Sequence, residues 1–199
     1  MPFWSTDFSN QDEILKDPKR NFRFFVQIQG IQTDNGGGLV WYAKSVQKPT
    51  FTMEEATHTY LNHSYYYPGK VTWNTIELTM VDPGDNPEVS ATLAGILEGA
   101  GYNIPTTPDS SVLTSVSKQK AAGALGTMTI VQVDSDGKPM ETWTLWNAFA
   151  KEVNFGGTLE YGNDDLTTIT MTVRYDWARL ETAEVGSAAI LRNNRFFNV

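Results

Sequence analysis

The chain has 199 residues, with 15 Lys plus Arg against 23 Asp plus Glu, a net charge of −8 and an isoelectric point near 4.7. That sign opposes the counterion release on which phosphate-backbone binding depends, so sequence reading of nucleic acid is disfavoured. Cysteine is absent, which removes disulfides and thiolate metal sites, and no apolar run approaches the ~20 residues of a membrane-spanning helix. No signal peptide is expected, so synthesis falls in a cytosol-like setting. A chain of this length buries roughly 70% of its unfolded surface in one domain, enough for a single β-sandwich core.

Residues 1–20 place Trp4 and Phe8 among polar residues without a sustained period and read as an N-terminal arm. Residues 21–30 alternate Phe22, Phe24, Val26 and Ile28 with Arg23, Phe25, Gln27 and Gln29, a period of two and therefore a strand. Asn35-Gly36-Gly37-Gly38 ends it in a turn, and residues 39–47 form the second strand. Strand-forming residues then resume at 51–58 and 71–81, separated by an arm at 59–70 that is too long for a hairpin turn. Pro68-Gly69 marks the exit of that arm, and its four tyrosines and Leu61 are too much apolar surface for a solvated tip.

After residue 81, Asp82-Pro83-Gly84 stops the strand, and Asn86 with Pro87 reads as the cap and first position of a helix. Its apolar stripe is Val89, Leu93, Ile96, Leu97 and Ala100, and Gly99 with Gly101 ends it. A second, weaker helix is expected over 110–122, with Val112, Leu113 and Val116 as its stripe. Residues 127–133 and 140–146 flank Asp134-Ser135-Asp136-Gly137 as a hairpin, and strands follow at 151–155, 158–161 and 166–177. Residues 178–199 leave the strand pattern. The expected fold is mainly β, an antiparallel sandwich or barrel with one or two flanking helices and a long protruding arm. Its division is an arm at 1–20, a domain at 21–180 and a tail at 181–199.

Catalytic and cofactor motifs are missing from this pattern. His58 and His63 lie five apart across a strand-to-loop boundary, not at the i, i+4 helical spacing of a zinc enzyme. Asp134 to Gly137 has the Gly out of register for a calcium loop and is explained by a turn. No glycine-rich loop precedes a helix, and no serine has a strained Gly-flanked elbow around it. Glu54 and Glu55 are strand neighbours pointing to opposite faces, so they make no carboxylate dyad. No catalytic, cofactor or metal residue is assigned, and the chain is not expected to be an enzyme. Certain strands are asymmetric: Thr168, Thr170, Thr172 and Arg174 oppose Ile169, Met171, Val173 and Tyr175. Glu152 and Asn154 oppose Lys151, Val153 and Phe155 in the same way, and Thr52, Glu54 and His58 oppose Phe51, Met53 and Glu55, where Glu55 breaks the apolar pattern.

Lys48-Pro49, a strand carrying Glu54-Glu55, an aromatic arm, Pro68-Gly69-Lys70 and an aromatic-led strand ending in Asp82 occur in one order. Leu145-Trp146, Glu152 to Phe155, Leu159-Glu160-Tyr161, a Gly-Asn-Asp-Asp turn and a Thr-alternating strand ending Arg174-Tyr175-Asp176-Trp177 follow downstream. The two blocks cover about half the chain, and together they resemble the tail tube proteins of contractile-tailed bacteriophages, a fold shared with type VI secretion tubes. The resemblance implies homo-hexameric rings that stack into a hollow tube, with four strands per subunit joining one barrel around the lumen. It further implies that Thr52, Glu54, Glu152, Asn154, Glu160, Thr168, Thr170, Thr172 and Arg174 face the lumen. The arm residues Tyr60, Leu61, Tyr65, Tyr66 and Tyr67 would contact the adjacent ring. Tail sheath and baseplate proteins are the implied partners, DNA the implied non-specific traveller through the lumen, and the virion tail the implied location. A baseplate or tail-terminating ring of the same fold is the nearest alternative. A carbohydrate-binding sandwich that presents Tyr65 to Tyr67, Trp73, Trp143 and Trp146 as stacking platforms is the other.

Overall fold

The computed structural model describes residues 18–30, 43–84, 89–104, 114–162, 164–182 and 195–196. Five strands, β1 (Phe24–Ile28), β6 (Met128–Val133), β7 (Pro139–Trp146), β10 (Trp177–Thr182) and β11 (Arg195–Phe196), form one sheet in the order β1-β6-β7-β10-β11. Four more, β2 (Ala43–Val46), β5 (Ile76–Val81), β8 (Phe149–Asn154) and β9 (Thr168–Arg174), form a second in the order β2-β5-β9-β8. The remaining pair, β3 (Phe51–Tyr60) and β4 (His63–Trp73), is a separate hairpin. Every pairing between described strands is antiparallel.

Both large sheets turn their apolar parity inward on one core, and no barrel closes within the chain. The five-stranded sheet supplies Val26, Ile28, Met128, Ile130, Leu145 and Ala178, and the four-stranded sheet supplies Ile76, Leu78, Met80, Ile169, Met171 and Val173. Helix α1 (Val89–Gly99) adds Val89, Leu93 and Ile96, and Ala100 just past its end is buried too, so four of the five stripe positions read from the sequence are inside; Leu97 stays exposed. Asp82 caps this helix from seven residues upstream: its Oδ1 accepts from Val89 N at 3.1 Å and Ser90 N at 3.4 Å. The expected cap pair Asn86-Pro87 lies outside the described residues. No described helix is long and apolar enough to cross a membrane.

The second helix differs from expectation. It is α2 (Lys118–Leu125), capped by Ser117 Oγ, which accepts from Lys120 N at 3.3 Å, and it packs Ala121 and Leu125 rather than Val116. Val112 and Leu113 lie outside the described residues. Gly126, at φ +69°, ends the helix, and a Cβ there would lie 3.0 Å from Gln29 Cβ.

The strand expected over 166–177 is two strands in two sheets. Buried positions are odd from Ile169 to Tyr175 but the next one, Ala178, is even, and the slip marks a corner at Asp176. There Asp176 N donates to Trp146 O at 3.1 Å, while its carboxylate accepts from Lys118 Nζ at 2.6 Å and Asn147 Nδ2 at 2.9 Å. The Lys118 hydrogen bond holds the Asp176 carboxyl below its ordinary pKa. The chain therefore crosses sheets, and residues 178–182, expected outside the strands, form most of β10, with Leu180 opposite Phe196 and Glu181 opposite Arg195. The strand expected over 158–161 does not form either; residues 155–162 and 164–167 are irregular, with Gly156 at φ +127°.

One end of the core is closed by a polar cluster. Gln132 and Glu141 are cross-strand partners on the inward face, both buried. Lys48, from the β2–β3 connection, reaches over them and donates to Gln132 Oε1 at 2.8 Å and Glu141 Oε1 at 2.9 Å. Lys19 pairs with the second Glu141 oxygen, Trp143 Nε1 donates at 2.5 Å, and Gln132 Nε2 donates to Arg20 O at 3.1 Å. Burial pushes the Glu141 carboxyl up, but hydrogen bonds from Lys19, Lys48 and Trp143 outweigh it and hold the pKa at about 2. A depressed carboxylate stabilises the fold above its unfolded pKa and loses that contribution as pH falls through the folded value. Both lysines are half exposed, which screens the pair. Glu141→Gln is therefore expected to cost about 1–2 kcal/mol at neutral pH. Denaturant titrations should show the difference from the parent closing between pH 4.5 and about 2, where the parent's own carboxyl protonates.

Candidate assembly surface

The outward face of the four-stranded sheet is polar because every strand in it obeys the same pleat. Thr172 lies between Glu77 and Glu152, and Thr170 lies between Thr79 and Asn154. Thr168 opposes Val81, Arg174 opposes Phe149, and Ser45 opposes Thr79. Six of the nine residues read as a wall therefore share one face: Glu152, Asn154, Thr168, Thr170, Thr172 and Arg174. Glu77, Thr79 and Ser45 complete it and were missed. The strict alternation of buried Ile76, Leu78 and Met80 with Glu77 and Thr79 is the signal that identifies the first two.

The other three wall residues are elsewhere. Thr52 and Glu54 belong to the β3–β4 hairpin, not to this sheet, and Glu160 lies in the irregular loop at 155–167. The Gly156-Gly157 break interrupts the strand expected to carry Glu160 onto that face.

Among the described residues, β2 and β8 are the unpaired edges of this sheet. Each is interrupted by one extra residue: Lys44 between Ala43 and Ser45 in β2, and Lys151 between Ala150 and Glu152 in β8. A bulge bearing an exposed lysine is a device that discourages an edge from pairing indiscriminately.

The arm read at 59–70 is a paired hairpin rather than an open loop. Its strands meet at the two-residue turn Leu61-Asn62, with Leu61 in the left-handed region at φ +52°. Pro68-Gly69 is not a turn. It lies inside β4, where Glu55 pairs with Pro68 but Met53 pairs with Val71, so the strand carries an extra residue that lets proline escape the ladder. Glycine is needed beside it, because a Cβ on Gly69 would meet Glu54 O at 2.9 Å. At the base, Phe51 meets Trp73 edge-on at 5.5 Å and Trp73 meets Tyr175 at 6.0 Å, joining the hairpin to the core. Asn74 Nδ2 donates to Thr50 Oγ1 at 3.2 Å and Thr52 Oγ1 at 3.1 Å.

Beyond that base all of β3 is exposed. The register sets Ala56 opposite Tyr67, His58 opposite Tyr65 and Tyr60 opposite His63, so three tyrosines and both histidines share a face. The His63 and Tyr65 rings meet edge-on at 4.8 Å. Tyr66 is on the other face, opposite Thr57. Two histidines do not make a metal centre by themselves, and no three His, Cys, Asp or Glu converge among the described residues. The tryptophans do not join the tyrosines in one stacking platform: Trp143 packs on the core with its N–H on Glu141, and Trp146 stacks on Trp177 at 6.3 Å under Arg179.

The hairpin and the 155–167 loop leave the four-stranded sheet at opposite ends. The hairpin departs where Ile76 pairs with Val173 and Phe149 with Arg174; the loop departs where Val81 pairs with Thr168 and Asn154 with Thr170. Phe155, Leu159, Tyr161 and Leu166 stand exposed in the loop beside a cleft of about 470 Å³ between Gly157 and Thr168.

No protein-family model matches the chain, and no curated protein does. By fold it is similar to a chain of the cryo-EM structure of the anti-feeding prophage baseplate, 6-fold symmetrised. That chain is 15% identical with a TM-score of 0.60, and the match covers 86% of this chain and 100% of the other. A chain of the anti-feeding prophage tube terminating cap is similar at 15% identity and a TM-score of 0.59, over 89% of this chain and 100% of that one. A chain of the PVC sheath/tube terminator, from an extracellular contractile injection system in the extended state, matches at 15% identity and 0.58, over 84% and 99%. The chain thus has the tail-tube-like fold found in baseplate, cap and terminator components of contractile injection systems.

The two faces of the four-stranded sheet differ in what a substitution costs. Met171→Ala, on the packed face, is expected to lower unfolding free energy by about 2–5 kcal/mol. Glu152→Gln, one strand away on the polar face, should change it by less than about 0.5 kcal/mol, as read by denaturant melts of the two variants.

Proposed function

We propose that the chain is a structural subunit of a phage-tail-like contractile apparatus, forming hexameric rings that stack into its hollow inner tube. The observation that carries this reading is the four-stranded sheet, with one packed face, one polar face and two unpaired edges. Its three pairings are all antiparallel, so β2 and β8 run in opposite senses, and β8 of one copy meets β2 of the next in antiparallel register. Rotation about a ring axis repeats that contact until the barrel closes, which removes every edge of this sheet. The polar face then lines the lumen, with Glu152, Asn154, Thr168, Thr170, Thr172 and Arg174 joined by Glu77, Thr79 and Ser45. Glu77 and Glu152 stand against Arg174 there, with Lys44 and Lys151 at the edge bulges, so the wall's charges nearly balance and DNA meets no concentrated cationic surface to adhere to.

The hairpin projects from one end of this sheet and carries Tyr60, Leu61, Tyr65, Tyr66 and Tyr67 to the adjacent ring. Thr52 and Glu54 travel with it rather than with the wall. Sheath and baseplate proteins are the expected outer partners, in a tail assembled after synthesis in the host cytoplasm. A second reading, a terminating or baseplate ring of the same fold, draws on the similarity of this chain to chains of baseplate, cap and terminator structures.

Negative-stain microscopy separates these. A tube subunit gives stacked filaments of uniform bore, a terminator gives single rings, and a monomer at high concentration contradicts both. The register defines a clean deletion: residues 56–67 removed, with Glu55 and Pro68, a cross-strand pair, bridged by Asn-Gly. That variant is expected to keep a cooperative melt and to form rings that do not stack; long filaments from it would free the hairpin of any stacking role.

A further inference from the structure

We infer that the cleft of the 155–167 loop is the receptor for the hairpin tip of the next copy, so that one chain carries both halves of the stacking contact at opposite poles. This rests on the tube reading and adds what the hairpin binds. Three observations converge. The two features leave opposite ends of the same sheet, so copies displaced along that sheet's axis bring tip and loop together without any chain having to turn round. Both are apolar where a solvated loop would be polar: Leu61 is 82% exposed at the tip and Leu159 is 86% exposed in the loop, with Tyr60 and Tyr65 beside the first and Tyr161 beside the second. Exposed apolar surface of this kind at two separate sites of one chain fits a heterologous, head-to-tail contact.

Charge points the same way. The outer part of the hairpin, residues 56–67, holds no carboxylate, while residues 155–167 hold Glu160, Asp164 and Asp165 and no cation. Loop against loop would juxtapose carboxylates, whereas the carboxylate-free tip meets the acidic loop without like-charge repulsion. The hairpin strands extend roughly 30 Å at about 3.3 Å per residue, long enough to reach a neighbouring ring. Glu160, out of place as a wall residue, has a use at this contact.

The chain has no native cysteine, so Leu61→Cys and Leu159→Cys each report one pole alone. Mixed under assembling conditions and treated with a short bismaleimide, the two single variants are expected to give a covalent dimer, and neither alone should. A chain carrying both substitutions should give a ladder of multimers. Dimers from Leu61→Cys alone, or filaments visible by microscopy without a mixed cross-link, would overturn the tip-to-cleft assignment and leave the tube reading standing. A parent chain that forms neither rings nor filaments would overturn the tube reading and the docking with it.

Discussion

An unpaired sheet edge is a row of backbone donors and acceptors without partners, and among the described residues the four-stranded sheet has two of them. The arrangement of this molecule follows from that constraint. Its other faces are settled within the chain: the apolar parity of β5 and β9 packs against the five-stranded sheet and α1, and the polar parity meets water. Among the described residues the two edges have no strand partner, and they are matched in sense for one another. Lys44 and Lys151 at their bulges keep them from joining any passing strand, and a charged bulge adds a geometric condition that a correctly oriented copy of the same chain can satisfy.

The second large feature answers a different constraint. A two-stranded ribbon is marginal in water, and one with every residue of β3 exposed needs support. Support at the base comes from Phe51, Trp73, Tyr175 and the Asn74 bridge to Thr50 and Thr52. The aromatic surface further out has no partner within the described residues, and its outward placement is what a contact surface requires. The same logic applies to the loop at 155–167, where two glycines break the strand pattern and turn Leu159 and Tyr161 outward.

Much of this was legible in the residues. Period-two alternation located most of the strands, and the Thr168, Thr170, Thr172, Arg174 parity placed four wall residues on one face before any coordinates. The losses have particular causes. The parity slip between Tyr175 and Ala178 was read as the end of a strand, because the Asp176 corner that moves the chain between sheets depends on Lys118 and Asn147, 58 and 29 residues away. Pro68-Gly69 was read as a turn because turn chemistry and bulge chemistry use the same residues. Glu77 and Thr79 alternate with buried Ile76, Leu78 and Met80, which marks a two-faced strand but does not say which sheet it joins. The Glu141 cluster was invisible in principle, since Lys19, Lys48, Gln132 and Trp143 meet only once the sandwich closes.

The central claim is that β2 and β8 are complementary edges filled by neighbouring copies. Amide hydrogen exchange, compared between dispersed and assembled protein, tests it strand by strand. The account predicts that amides of Ala43–Val46 and Phe149–Asn154 gain protection together on assembly, while β1, an edge of the other sheet, exchanges as before. Assembled particles in which both edges still exchange at the dispersed rate would contradict it.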